Sequence, residues 1–175
     1  MSLQAFIDQV PDYAKDVRLN LSSLLSESSN TDLIADQIAG IALASAYATR
    51  DKNLIAALEA EFSPKISETL LNASKTAAVT MGMNNVYYRY IHLAADEEIK
   101  KMRANLRMQG LQSHGIDKLD FELMSTAVSA INGCGMCMES HQAAHLKEGV
   151  SKPAIQAAIR IAAVINSAAV TSSIM

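Results

Sequence analysis

The 175-residue sequence contains no tryptophan, and aromatic residues make up only 5% of it. Half of the residues are apolar, and because few of them are aromatic, most of the hydrophobic residues are aliphatic ones such as alanine, leucine, isoleucine and methionine. Side chains of this kind suit closely packed helices. No stretch alternates apolar and polar residues over the length of a strand, which argues against a sheet. We therefore predict an all-α fold, formed by one compact domain that spans residues 1–175.

The sequence also lacks a strong net charge. Its formal net charge is -3, its isoelectric point is about 5.8, and it has no basic runs, so nothing draws it to nucleic acid or to an anionic membrane. The N-terminus has no cationic region and its apolar stretch ends at Asp8, which is unlike a signal peptide. The most apolar region, residues 155–170, contains Arg160 and Asn166, which favours a core helix over a membrane span. We expect a soluble, cytoplasmic protein with no nucleic-acid or membrane partner.

There are only two cysteines, Cys134 and Cys137. In a reducing compartment a Cys-x-x-Cys pair is more typical of catalysis or metal binding than of a structural disulfide. A zinc site would need further ligands, and on a continuous helix His145 would lie about 16 Å from Cys134, too far for one ion. The spacing therefore favours a redox centre and no metal site, with metal binding as the alternative.

Helical spacing and capping residues divide the chain into consecutive helices. Asp51, Ser151 and Pro153 have the residue types that begin helices, and Gly110 is of the type that ends them. One predicted helix, from Asp96 to Gly110, is highly charged and should have a solvated face. The others are predicted over residues 12–26, 31–50 (with Thr31 or Asp32 as N-cap), 51–62, 66–93, 117–131 (opened by Asp117 or Asp120), 134–148 and 151–173.

Two portions of the chain are similar to each other. Residues 42–46 match residues 126–130 at an offset of 84, and residues 77–79 match residues 162–164 at an offset of 85. We interpret these matches as pseudo-repeats near 32–93 and 117–173, although chance similarity between alanine-rich helices is the alternative. In a true duplication, Arg50, Asn53 and Ala57 would occupy the positions of the two cysteines and His141. Only the second copy could then perform thiol chemistry.

The cysteine pair has the surroundings that a reactive thiol needs. A free thiol with a pKa near 8.5 is only about 3% ionised at pH 7, so a useful nucleophile needs a lower pKa. Cys134 follows Gly133 at a predicted helix start, where free backbone N–H groups favour an anion. Cys137 and His141 follow on the same face, so His141 could accept a thiol proton directly or through a water. Glu122, on the preceding helix, is the candidate that orients the imidazole ring.

Each of these residues also has a simpler interpretation. Glu122 could merely stabilise the start of its own helix, and His141 could be a helix-surface residue. We assign His145 to the solvated face. No partner for His92 or His114 is evident from the sequence.

The pattern Glu122-x11-Cys134-x2-Cys137-x3-His141, together with the flanking residues 127–133, closely resembles the AhpD alkyl hydroperoxidase family. The resemblance extends over nearly the whole chain and includes residues 81–90. Polar and aromatic residues interrupt the apolar helix there, which predicts a pocket wall or a subunit contact, or else one wet helix face. The resemblance implies an all-helical fold with an internal duplication, assembled as a homotrimer.

The resemblance also implies roles for four residues. Cys137 matches the nucleophile that attacks peroxide and becomes a sulfenic acid, and Cys134 matches the proton donor and resolving thiol that closes the redox disulfide. His141 and Glu122 match the proton relay. The chain departs from the pattern at Met136, where some members carry a histidine that assists the relay. We expect this difference to affect the peroxidase rate more than disulfide exchange.

By resemblance, the protein is an antioxidant enzyme that reduces alkyl hydroperoxides and regenerates a partner AhpC-like peroxiredoxin. It would hold no cofactor tightly. Its electrons would come from dihydrolipoyl groups on a lipoylated dihydrolipoamide acyltransferase, which dihydrolipoamide dehydrogenase keeps reduced. Two alternatives are a lyase of the carboxymuconolactone decarboxylase type and a non-enzymatic helical module that binds a metal or senses oxidants.

Overall fold

The computed structural model describes residues 1–175, and their regular structure is entirely helical, which confirms the predicted all-α fold. Nine α-helices are joined by short connections and three 3-10 turns. The helices are α1 (Leu3–Gln9), α2 (Lys15–Leu24), α3 (Ala35–Thr49), α4 (Lys52–Phe62), α5 (Glu68–Ala94), α6 (Glu97–Lys101), α7 (Lys118–Ile131), α8 (Gly135–Lys147) and α9 (Lys152–Ile174), and the turns cover Asp12–Ala14, Ser63–Lys65 and Gln109–Leu111.

Several helices begin where their capping residues predict. Asp51 accepts a hydrogen bond from the backbone N–H of Leu54 at the start of α4. Asp117 and Ser151 cap α7 and α9 in the same way. In each case the side-chain oxygen satisfies a backbone N–H that has no partner within the helix.

The start of α3 differs from the prediction. Its N-cap is Ile34 rather than Thr31 or Asp32. The buried residue Asn30 accepts a hydrogen bond from the backbone N–H of Leu33, whose side chain is also buried. This local turn holds the chain away from helical geometry until Ala35.

The predicted helix from Asp96 to Gly110 is wrong beyond Lys101. Helix α6 contains no buried residue, so no tertiary packing stabilises its extension. Met102 is extended, and Asn105 adopts a left-handed backbone conformation with φ of 52°. The connector that follows α6 therefore crosses the surface as irregular chain until the short turn at Gln109–Leu111.

The core forms where α3 and α7 pack against each other and against both α5 and α9. Fully buried Ile38 and Ile41 come from α3, and Leu123 and Met124 come from α7. A Cβ added to Gly40 would lie 2.5 Å from Met124 Cε, so the end of the Met124 side chain occupies the space that a larger residue at position 40 would need. Helix α8 packs on α7 and α5, which places the cysteine motif beside both.

Helix α9 is long and apolar enough to cross a membrane by length and composition alone. In this fold it packs against α2, α3, α4 and α7. Ile161 and Ile165 are completely buried in the hydrophobic core. The prediction of a core helix in this region is confirmed.

The internal duplication stays a prediction. Helices α3, α4 and α5 begin at Ala35, Lys52 and Glu68, and α7, α8 and α9 begin at Lys118, Gly135 and Lys152. The N-caps of the middle helices in these two sets are Asp51 and Cys134. By position in the helix, Asp51 is therefore the counterpart of Cys134, one residue beyond the predicted Arg50.

Candidate active site

The two cysteines lie at the start of α8 and form a disulfide, with their Cα atoms 5.3 Å apart. Gly133 turns the chain out of α7 with a φ of 67°, a left-handed conformation that favours glycine. Cys134 is the N-cap of α8, and its Sγ accepts a hydrogen bond from the backbone N–H of Cys137. Cys134 is completely buried, whereas Cys137 is 8% exposed and borders a cavity. Cys137 is thus the residue of the pair that borders the cavity.

The predicted pair of Glu122 and His141 is brought together. Glu122 Oε1 lies 2.7 Å from His141 Nδ1. A carboxylate can only accept, so Nδ1 carries the proton of this hydrogen bond. Burial alone would raise the pKa of Glu122, but the hydrogen bond to His141, the positive charges that His141 and His145 carry when protonated, and the charge of Lys118 hold that pKa below its ordinary value. Glu122 is therefore an ionised partner for the imidazole at neutral pH.

The other nitrogen of His141 contacts Ser129, a residue for which the sequence analysis predicted no role. His141 Nε2 lies 3.1 Å from Ser129 Oγ, which also accepts a hydrogen bond from Asn85 Nδ2 at 2.9 Å. In the neutral tautomer whose Nδ1–H donates to Glu122, Nε2 accepts the hydroxyl proton of Ser129. Both ring nitrogens are occupied, and no hydrogen bond joins His141 to either sulfur in this disulfide form.

The network continues away from the sulfur atoms. Asn132 Nδ2 donates to Asn85 Oδ1 at 2.9 Å, and Arg89 Nη1 donates to the backbone carbonyl of Asn132 at 2.7 Å. These bonds connect α5 to the link between α7 and α8 and fix the position of Ser129. Helix spacing could have revealed part of this arrangement, because Glu122, Thr126 and Ser129 recur at intervals of four and three residues on one face of α7.

The assignment of His145 to the solvated face is wrong, because this side chain is completely buried. His145 Nε2 lies 2.9 Å from Thr126 Oγ1, which donates its only hydroxyl proton to the Glu122 carbonyl at 2.7 Å. Thr126 must therefore accept from Nε2–H, which leaves Nδ1 unprotonated. Nδ1 is buried without a partner. Intervals of four residues place Cys137, His141 and His145 on the face of α8 that packs against α7, so helical spacing could have predicted this burial.

The buried imidazole of His145 predicts a loss of stability at mildly acidic pH. Burial lowers its pKa below the ordinary value; the Glu122 charge opposes this shift and the His141 charge adds to it. An unfolded chain binds the proton near pH 6.5, while the folded protein does not, so stability falls as pH drops from 7 through 6.5. The slope from this one group is at most about 1.4 kcal/mol per pH unit.

The test is the melting temperature between pH 5 and 8 for the parent and for His145→Gln, whose amide can still donate to Thr126. We expect the parent to lose more stability than the variant below pH 7. His92→Gln is the matched control, since His92 is exposed. Parallel curves for the parent and His145→Gln would contradict the assignment.

The two remaining histidines lie outside the site. The ring of His114 stacks on Phe121 with centroids 4.1 Å apart, a structural contact that the sequence did not predict. His92 is exposed near the end of α5. No group of three or more histidine, cysteine, aspartate or glutamate side chains is arranged to hold one metal ion.

A cavity of about 390 Å³ opens onto Cys137. Its wall is mostly apolar, and it includes residues of the 81–90 segment, which confirms the predicted pocket wall. Met108 and Leu111, from the segment between α6 and α7, form another side of the cavity. The lining residues are Met81, Asn84, Tyr88, Met108, Leu111, Met136, Cys137, Ser140 and His141.

Known proteins resemble this chain over nearly its full length. A family model described as the carboxymuconolactone decarboxylase family matches residues 97–174. An alkyl hydroperoxide reductase AhpD of Coxiella burnetii (strain RSA 493 / Nine Mile phase I) is 52% identical over 98% of this chain and 97% of its own length. AhpD proteins of Rhodopseudomonas palustris (strain BisA53) and Hyphomonas neptunium are 49% and 51% identical, over 98% and 97% of this chain and 93% and 92% of their own lengths. The chain belongs to the AhpD family of alkyl hydroperoxide reductases.

Proposed function

We propose that the protein reduces alkyl hydroperoxides through a dithiol/disulfide cycle of Cys134 and Cys137. The observation that carries this proposal is the unequal burial of the two cysteines beside the cavity. Cys137 borders the cavity, whereas Cys134 is completely buried behind it. Cys137 is therefore the nucleophile, and Cys134 is the resolving thiol.

The cycle has two chemical steps. The Cys137 thiolate attacks the terminal oxygen of the hydroperoxide, the O–O bond breaks, and Cys137 becomes a sulfenic acid while an alcohol leaves. Cys134 then gives up its thiol proton, attacks the sulfur of Cys137 and displaces hydroxide, which leaves as water. The product is the disulfide that the structure contains. Two electrons pass from the thiols to the peroxide.

His141 and Glu122 act as the proton relay in this proposal. His141 receives the thiol proton and returns it to the leaving alkoxide, while the Glu122 carboxylate orients the ring and stabilises its positive charge. Support comes from the 2.7 Å contact between the two side chains. The Ser129 hydroxyl, which donates to His141 Nε2 here, must turn for Nε2 to take up a proton.

Dihydrolipoyl groups of a lipoylated dihydrolipoamide acyltransferase would reset the disulfide, with dihydrolipoamide dehydrogenase supplying their electrons. The reduced enzyme would also regenerate a partner peroxiredoxin of the AhpC type in the cytoplasm. Both reactions are thiol–disulfide exchanges at Cys137, which is the less buried cysteine of the pair and borders the cavity. No tightly bound cofactor is needed for this chemistry.

We also propose a homotrimer. Val79, Val86, Tyr90 and Leu93 lie on one face of α5 and are each more than half exposed. An apolar stripe of this kind on a globular protein marks a protein contact. A solution mass equal to one chain, measured by light scattering, would contradict the assembly.

The deciding experiment couples the protein to lipoamide, dihydrolipoamide dehydrogenase and NADH. Adding an alkyl hydroperoxide is expected to start NADH oxidation that depends on the protein, and adding an AhpC-type peroxiredoxin should accelerate it. An unchanged baseline with both oxidants would contradict the proposed function. Turnover with peroxide alone and no acceleration would retain the peroxidase and exclude the recycling role.

A further inference from the structure

Asn84 on α5 is a buried amide that makes no hydrogen bond within the protein. Its side chain is 5% exposed and lines the cavity beside Cys137 and His141. Its Oδ1 is completely shielded and has no partner, and no hydrogen bond is formed by its Nδ2. A buried polar group without a partner destabilises the fold, so its presence calls for another reason.

The neighbouring residue Asn85 shows what a structural asparagine looks like at this place. Its Nδ2 donates to Ser129 and its Oδ1 accepts from Asn132. Both ends of the amide are therefore used to connect α5 with α7. Asn84 makes no such link between helices, and its Nδ2 has no partner in the protein, so it is available to donate to a molecule that enters the cavity.

The composition of the cavity specifies where such a molecule would place its polar end. Met81, Met108 and Leu111 supply apolar surface, which suits an alkyl chain. The polar groups of Asn84 and His141 border the same cavity as Cys137. An alkyl hydroperoxide has the matching shape, since its polar O–O–H group must meet the sulfur atom.

The geometry points to Asn84 as the residue that binds the hydroperoxide group and donates a hydrogen bond to the oxygen that leaves as alkoxide. This inference rests on the proposed peroxidase function. When the Cys137 thiolate bonds to the terminal oxygen, the O–O bond breaks and the electron pair passes to the alkyl-bearing oxygen. That oxygen then takes a proton from His141 and departs as an alcohol. The Asn84 Nδ2–H group would stabilise it while the charge develops.

Two variants separate hydrogen bonding from packing. Asn84→Ala removes the amide and leaves space, whereas Asn84→Leu removes it and fills the space with an apolar side chain. For both we expect kcat/KM toward cumene hydroperoxide to fall about 100-fold, the size of effect seen when one oxyanion donor is removed. We expect Asn84→Leu to raise the melting temperature, because an unpaired buried amide is lost. A purely structural residue would lower activity and stability together.

Two controls complete the design. Reduction of the Cys134–Cys137 disulfide by dihydrolipoamide involves no hydroperoxide, so its rate should stay within about twofold of the parent in both variants. Asn72→Ala, an exposed asparagine on the same helix, should leave both rates unchanged.

The outcomes are distinct. An inactive parent protein would overturn the proposed function itself. An active parent with wild-type peroxide kinetics in either Asn84 variant would overturn only the role of Asn84. Equal losses in peroxide oxidation and in disulfide reduction would also overturn it, because they would show a general disturbance of the site.

Discussion

Replacing Cys137 with serine is expected to abolish hydroperoxide reduction. The serine hydroxyl is barely ionised at neutral pH, and it cannot form the sulfenic acid through which both electrons pass. Loss of a covalent nucleophile costs up to about a millionfold in kcat in a serine protease, so we expect a loss of at least about a thousandfold here. The measurement is peroxide consumption by the pre-reduced protein. Retention of the parent rate in Cys137→Ser would contradict the assignment of the nucleophile.

Cys134→Ser is the matched control, because it changes the same atom in the buried member of the pair. This variant should consume one equivalent of peroxide and then stop, leaving a Cys137 sulfenic acid that dimedone labels. Its backbone cap is retained in part, since a serine oxygen at position 134 can accept from the N–H of Cys137 as the sulfur does. Multiple turnovers by Cys134→Ser would show that another thiol or reductant resolves the intermediate.

The variant with both serines tests a different chemistry. The family model that matches residues 97–174 takes its description from carboxymuconolactone decarboxylase. A lyase of that type needs no thiol redox cycle, so its activity would survive both replacements. We expect the double variant to be inactive toward hydroperoxides.

Near-stoichiometric zinc in protein purified under reducing conditions would instead favour a metal-binding module.

The part of the site that lies along one or two helices could be predicted from the sequence. Cys134, Cys137 and His141 share a face of α8 because intervals of three and four residues return to the same side of a helix. The caps at Asp51, Asp117 and Ser151 were predictable for a similar reason, since each acts within its own first turn.

The remainder depends on contacts between distant parts of the chain. His145 lies four residues beyond His141 and so on the same face of α8, but its hydrogen bond to Thr126 is a contact across the α7–α8 interface that spacing alone does not identify. Met108 reaches the cavity because the chain after α6 is irregular, where charge patterning alone indicated a helix. Asn84 and Asn85 are adjacent asparagines that the sequence does not distinguish. Only the folded structure shows that the Asn85 amide is hydrogen-bonded to Ser129 and that Asn84 Oδ1 has no partner.

Replacing Glu122 with glutamine is expected to slow hydroperoxide reduction by about 100-fold, the lower end of the range for loss of acid–base assistance. The glutamine oxygen can still accept from His141 Nδ1, so the ring keeps a partner of similar size. The negative charge is lost, and with it the stabilisation of the imidazolium that forms when His141 holds the thiol proton. Since the charge matters more than the contact, kcat should fall more than KM rises.

The dependence of stability on pH below neutrality provides an independent measurement of the effect of the Glu122 charge. The pKa of Glu122 is depressed in the folded protein, so its stabilising contribution is present above the unfolded value near 4.3 and is lost as pH falls through the folded value. Glu122→Gln should therefore flatten the loss of stability below about pH 4.3. Glu139→Gln, an exposed carboxylate within the motif, is the control for both measurements. Wild-type kinetics with an altered dependence of stability on pH would make Glu122 a structural partner of His141, because the charge would then support the fold without taking part in proton transfer.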